Sequence, residues 1–170
     1  MMAALLALLV LNTPPDIIDR IMAVVGPQAI TLSEVVASAE FELVPVPAGT
    51  KDPTGYALER LIDRSLMLVE VDRFQPPEPD PVEITLQVDR LQARAGSAEA
   101  FEKALAMTGT SREQLRRYIR DTLRMQIYVN QRFGGILDPV ERAESIAAWV
   151  SELRRRGQIT VLYRPAPPKS

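Results

Sequence analysis

Gln158-Ile159-Thr160-Val161-Leu162-Tyr163 is a strand-forming stretch that closes a chain otherwise dominated by helical patterning. Ile159, Val161 and Tyr163 alternate with Thr160 and Leu162, the period of a strand with one covered face. A lone strand would leave its backbone donors and acceptors without protein partners. The stretch that can supply them is Ile17–Val25 (IIDRIMAVV), rich in Ile and Val and polar only at Asp19 and Arg20. Gly26-Pro27 then makes a turn, and Gln28-Ala29-Ile30 returns as a second short strand. The expected fold class is therefore mainly α: an N-terminal hairpin, about five helices, and a C-terminal strand that joins the hairpin in a small β-sheet.

The helices are read from caps and apolar spacing. Thr31-Leu32-Ser33-Glu34 has capping-box spacing and opens a helix expected to reach Leu43, where Val44-Pro45-Val46-Pro47 stops it. Residues 48–53 read as loop. Gly55–Phe74 reads as a long central helix, with Leu58, Leu61, Ile62, Leu66 and Val69 on one face and Met67, Leu68 and Val71 widening the stripe. The Pro-rich segment 76–81 is an extended break, and Pro81 suits the first turn of the next helix, which runs to Gly96 with Ile84, Val88, Leu91 and Ala95 inward. Ser97 caps a shorter helix ending at Gly109. Thr110 or Ser111 caps a long one to Phe133, with Leu115, Ile119, Leu123 and Ile127 at fourfold spacing. Asp138-Pro139 opens the last helix, whose expected apolar face is Ala143, Ile146, Val150 and Leu153, with Trp149 as an anchor between that helix and the core.

Composition narrows the chemistry. The 170 residues are 46% hydrophobic and 25% charged, ordinary for a globular protein, with aromatics at only 5%. There is no histidine and no cysteine, which removes Ser-His-Asp and Cys-His catalysis, imidazole or thiolate metal sites, and disulfides. The net charge of −2 conceals an asymmetry: residues 1–85 carry 5 basic and 13 acidic side chains, residues 86–170 carry 15 and 9. A basic half can signal nucleic acid, but packing the halves together would neutralise both, and no nucleic-acid partner is expected. Ala3–Leu11 (AALLALLVL) is too short to span a bilayer, which takes about 20 residues, and has the length of a signal-peptide h-region. The expected organisation is a leader over 1–13, a single domain over 16–164 (core 16–133, closing helix and strand 138–164) and a disordered tail over 165–170.

Three motifs in this order resemble the N-terminal chaperone domain of the SurA family. The first is Ile18-Asp19-Arg20-Ile21-Met22-Ala23-Val24-Val25 followed by Ile30-Thr31-Leu32-Ser33-Glu34-Val35. The second is Ala57-Leu58-Glu59-Arg60-Leu61-Ile62-Asp63-Arg64-Ser65-Leu66-Met67-Leu68. The third runs from Thr110-Ser111-Arg112-Glu113-Gln114-Leu115-Arg116 on to Phe133. The resemblance implies an exported, periplasmic chaperone that holds unfolded polypeptides, outer-membrane protein precursors above all, with no stable membrane insertion and no cofactor. In that family a parvulin-type prolyl isomerase domain interrupts the chain before the last helix and strand. Here Phe133-Gly134-Gly135-Ile136-Leu137-Asp138 joins the two parts directly, so no enzymatic activity is expected. The alternative is a subunit related to the isomerase family that binds one fixed protein partner during assembly.

Candidate binding residues follow from adaptability and exposure. Phe41, Leu43, Val44 and Val46 sit where a helix dissolves into a Pro-rich loop, so an apolar client patch is expected there. Met107 and Met125 add polarizable, adaptable surface, although a methionine equally serves a core short of aromatics. No catalytic, cofactor-binding or metal-ligating residue is expected. Glu78, Asp80 and Glu83 lack the ligand spacing and turn glycine of a calcium loop. Arg112, Arg116, Arg120 and Arg124 read as a solvated helix face with i,i+3 and i,i+4 ion pairs rather than a phosphate-binding surface.

Overall fold

A computed structural model describes residues 19–165; the expected leader and the tail beyond residue 165 lie outside them. The described residues form β1 (Ile21–Val25), β2 (Gln28–Thr31), α1 (Leu32–Glu40), α2 (Pro53–Phe74), α3 (Pro81–Arg94), α4 (Ala98–Thr108), α5 (Arg112–Phe133), α6 (Pro139–Arg156) and β3 (Ile159–Val161). The fold is mainly α with a small sheet, as expected. The helices number six, the same six that caps and apolar spacing mark out one by one, with Gly96 at positive φ and the Ser97 cap separating α3 from α4.

The sheet order is β2-β1-β3, antiparallel throughout. Gly26 has φ +55, and Pro27 cannot follow it there, so the two-residue turn uses left-handed backbone only at its first position. β3 sets Ile159, Thr160 and Val161 opposite Val25, Val24 and Ala23. The register against β2 shifts between Ile21 and Ala23, a bulge that turns both Met22 and Ala23 inward. The bulged Met22 carbonyl accepts from both the Leu162 and Tyr163 amides, at 2.9 and 3.0 Å. Of the expected 17–25 strand, Ile17 and Ile18 lie outside the described residues, and β1 starts at Ile21. Before it, Arg20 still runs beside Leu32, whose amide donates to the Arg20 carbonyl at 2.8 Å, and the Asp19 carboxylate accepts from the Ser33 amide at 3.2 Å and from the Ser33 hydroxyl.

Caps place most helix ends. Thr31 and Ser111 form capping boxes with Glu34 and Gln114. α1 stops at Glu40, short of Leu43, and Glu42 takes a positive φ. α2 starts at Pro53 rather than Gly55, because Asp52-Pro53 repeats the Asp80-Pro81 and Asp138-Pro139 arrangement: the Asp caps and Pro fills the first turn.

Two apolar clusters result. The larger joins the sheet to α2, α6 and the C-terminal half of α5, with Met22, Val25, Leu58, Ile62, Val71, Tyr128 and Trp149 in it. The smaller joins α1, α3, α4 and the N-terminal half of α5, around Phe101. Val69 is exposed rather than inward, while Val71, two residues on, is fully buried in the larger cluster. The acidic and basic halves of the sequence do pair: Arg94–Glu42, Arg124–Asp72, Arg120–Glu78, Arg154–Glu59 and Arg156–Glu70 all cross between them. The arginine stripe on α5 is therefore not simply solvated. Arg112 pairs with Glu102 on α4 at 2.6 Å, and Arg124 is buried against Asp72 and Glu78.

Candidate functional site

The last helix decides the shape of the site. Trp149, the largest side chain on α6, takes the core position, 5.7 Å between ring centroids from both Tyr128 and Phe133. Leu153 is buried one turn on. Trp149 thus fills the anchor place expected of it, and Ile146 and Val150 pack half-buried against the larger cluster; of the expected face only Ala143 is exposed. The stripe Ala143, Ile146, Ala147, Val150 lines an open groove of about 870 Å³.

Opposite that stripe stand Tyr56 and Met67 from α2 and Tyr118 and Met125 from α5, with Leu43, Val44 and Pro45 closing one end. The walls are largely apolar, and Arg60, Asp63 and Arg154 sit among them as paired charges. Arg154 ties α6 to α2: it pairs with Glu59 at 2.8 Å, donates to the Glu59 carbonyl at 3.0 Å and pairs with Asp63. Arg60 reaches the same Asp63 at 3.0 Å. Burial alone would lower the Arg154 pKa, but hydrogen bonds and charge from Asp63 and Glu59 raise it.

Two further cavities adjoin the groove. One of about 440 Å³ lies between the β2–α1 corner and the α2 and α5 helices, and one of about 190 Å³ lies between α3 and α5. Leu43 and Tyr118 line all three, so the loop after α1 and the middle of α5 are where they converge. Arg64 lines the first two. Its guanidinium lies over the Tyr118 ring at 3.9 Å and donates to the Tyr118 carbonyl at 2.8 Å and to Thr122 Oγ1 at 3.4 Å.

Of the six residues expected to bind clients, the fold gathers three: Leu43, Val44 and Met125 all line the groove. Val44 does so while mostly buried in the larger cluster. The other three stand apart. Phe41 is buried edge-to-face on Phe101, 5.7 Å between centroids, and builds the smaller core. Val46 is half-buried beyond the groove, and Met107 is 72% exposed on α4, away from all three cavities. Sequence reading missed Tyr56, Arg64 and Tyr118. Arg64 carried a signal: it stands three residues after Leu61 and four before Leu68, a charge set into an apolar stripe.

Among the described residues no group of three or more acidic side chains is arranged to hold a metal ion. Asp80 is spent as the cap of α3 and Glu78 as a partner of Arg120 and Arg124. No described helix is long and apolar enough to cross a membrane. What the site offers is apolar surface of adaptable shape with guanidinium groups along it. No family model and no curated protein matches the chain.

Proposed function

We propose that this protein is a non-enzymatic folding helper of the periplasm, which holds extended apolar segments of unfolded polypeptides, outer-membrane protein precursors in particular. The observation that carries this reading is the open groove between α2, α5 and α6, whose walls include Met67, Met125, Ile146 and Val150. A groove walled by flexible methionine and aliphatic side chains can repack around many partners, which suits a holder better than a selective enzyme. The resemblance of the three sequence motifs to the SurA-type chaperone domain points the same way. So does the link Gly134–Asp138, which carries α5 directly into α6.

The test is suppression of aggregation of a denaturant-diluted outer-membrane protein. The protein at a few-fold molar excess should lower light scattering, and Ile146→Glu with Met125→Glu should abolish the effect while far-ultraviolet circular dichroism stays native. Equal protection by wild type and the double variant would remove the groove from the reading. Absence of protection by wild type would remove the holding role. A pull-down yielding one stoichiometric protein would favour the fixed-partner subunit instead, and turnover of a proline peptide would make the protein an isomerase.

A further inference from the structure

Resting on that holding role, we propose that Arg64 anchors a carboxylate of the bound segment, so that the groove selects extended apolar polypeptide carrying an acidic side chain.

Arg64 is a cation on the wall of the groove without a carboxylate partner among the described residues. Arg60 and Arg154 each pair with Asp63, and Arg124 pairs with Asp72, Glu78 and Asp121. The Arg64 hydrogen bonds go only to neutral oxygens of Tyr118 and Thr122, and its Nε is buried with no partner at all among the described residues. The acids that reach it at longer range are occupied: Asp121 pairs with Arg120 and Arg124, and Glu34 closes the capping box with Thr31. Burial is the main influence on its guanidinium and pushes its pKa below the ordinary arginine value. The group nevertheless stays charged, since arginine does not lose its proton in proteins. A desolvated charge is costly, and a carboxylate reaching the part of Arg64 that lines the groove would offset that cost, the Nε itself staying buried.

The surrounding charge says on which side the carboxylate arrives. Arg60, Arg64 and Arg154 line the large groove with Asp63 as the acid among its lining residues; Asp63 is shared by Arg60 and Arg154, and Glu59 beside the groove is held by Arg154. The adjoining cavity sets Asp19, Glu34 and Asp121 against Arg64 and Arg117, which repels an anion. Thr122, which accepts from Arg64, lines the large groove and not that cavity. The apolar walls beside Arg64 argue for a polypeptide rather than a small anion: Met67, Met125 and Ile146 would cover the residues flanking the acid.

End-capped, fluorescein-labelled peptides of apolar residues with one central Glu or Gln test this by anisotropy. Wild type should bind the Glu peptide about tenfold more tightly, the weight of one charge-assisted hydrogen-bonded contact, and Arg64→Gln should bring the ratio to one. A photoreactive residue beside the Glu should label α5 or α6 within the groove of wild type, which decides the matter even where Arg64→Gln folds poorly. Equal binding of both peptides by wild type, or labelling outside the groove, overturns the anchor and leaves the holding role standing. Failure of both peptides to bind overturns the two together.

Discussion

The Tyr163 hydroxyl donates to Asp52 Oδ1 at 3.0 Å, which fastens the chain just past β3 to the N-cap of α2. The same carboxylate oxygen accepts from the Gly55 amide at 2.9 Å as the cap of that helix. One oxygen thus joins the closing strand to the central helix. Asp52→Ala removes both contacts and should cost about 1–2 kcal/mol, the upper part of the range for a lost cap. Tyr163→Phe removes one and should cost about 1 kcal/mol. Urea unfolding of the two single variants and the double variant checks this. The double should cost clearly less than the sum, because the singles share the bond.

Removing residues 157–170 should do more than trim an end. The Ala23, Val24 and Val25 backbone loses the partners supplied by Val161, Thr160 and Ile159, and the Met22 carbonyl and the Gly26 amide lose theirs to Leu162, Tyr163 and Gln158. Buried backbone groups without partners are expensive, and β1 would become an open edge prone to pairing with other chains. The truncated protein should melt earlier and with a broader transition, and should populate aggregates in size-exclusion chromatography. An unchanged midpoint and width would mean that β3 contributes nothing to the sheet.

The order of elements was legible because backbone accounting and capping chemistry are local. A terminal strand with one available partner, and Ser, Thr or Asp ahead of an apolar period, each announce themselves in a few residues. The misses share a cause: they depend on which of several apolar residues wins a place in the core. Trp149 anchors α6 as expected, but the place it takes in the interior turns Ala143 and one side of Ile146 and Val150 onto the groove, which the regular stripe did not announce. Phe41 looked available at a fraying helix end, but Phe101 on a distant segment covers it. The groove itself was not legible, since its walls come from three helices and one loop.

The two apolar clusters should unfold as one. α5 runs through both, with Leu115, Ile119 and Leu123 in the smaller and Tyr128 and Phe133 in the larger. Phe101 is fully buried at the centre of the smaller cluster, and Phe101→Ala should cost about 3–5 kcal/mol. Trp149→Ala should cost a similar amount from the other side. Tryptophan fluorescence, which reports the larger cluster, should shift its urea midpoint in Phe101→Ala together with circular dichroism. Separated midpoints for the two probes would show that α5 does not couple them.

The acid limb of stability should depend on Asp19 and Ser33. Burial alone would raise the Asp19 carboxyl, but hydrogen bonds from the Ser33 and Thr31 side chains and the Ser33 and Arg20 backbone outweigh it and hold the group below its ordinary value. The site lies at the N-terminal turn of α1, where the helix dipole also favours an anion. A carboxyl whose pKa is lower folded than unfolded stabilises the fold in its ionised form. Its contribution is complete above the unfolded pKa of about 3.9 and disappears as the pH falls through the depressed folded value. Ser33→Ala removes the hydroxyl donor, so the folded pKa should climb toward the unfolded one. At pH 7 the variant should be less stable by about 1–2 kcal/mol, in keeping with a hydrogen bond to a charged group. At the lowest pH at which both proteins still fold, below the unfolded value, that gap should narrow, because a protonated Asp19 no longer distinguishes the two proteins. Denaturant titrations at the two pH values measure the gap directly. A gap of the same size at both would place the cost of Ser33→Ala in packing rather than in the Asp19 charge.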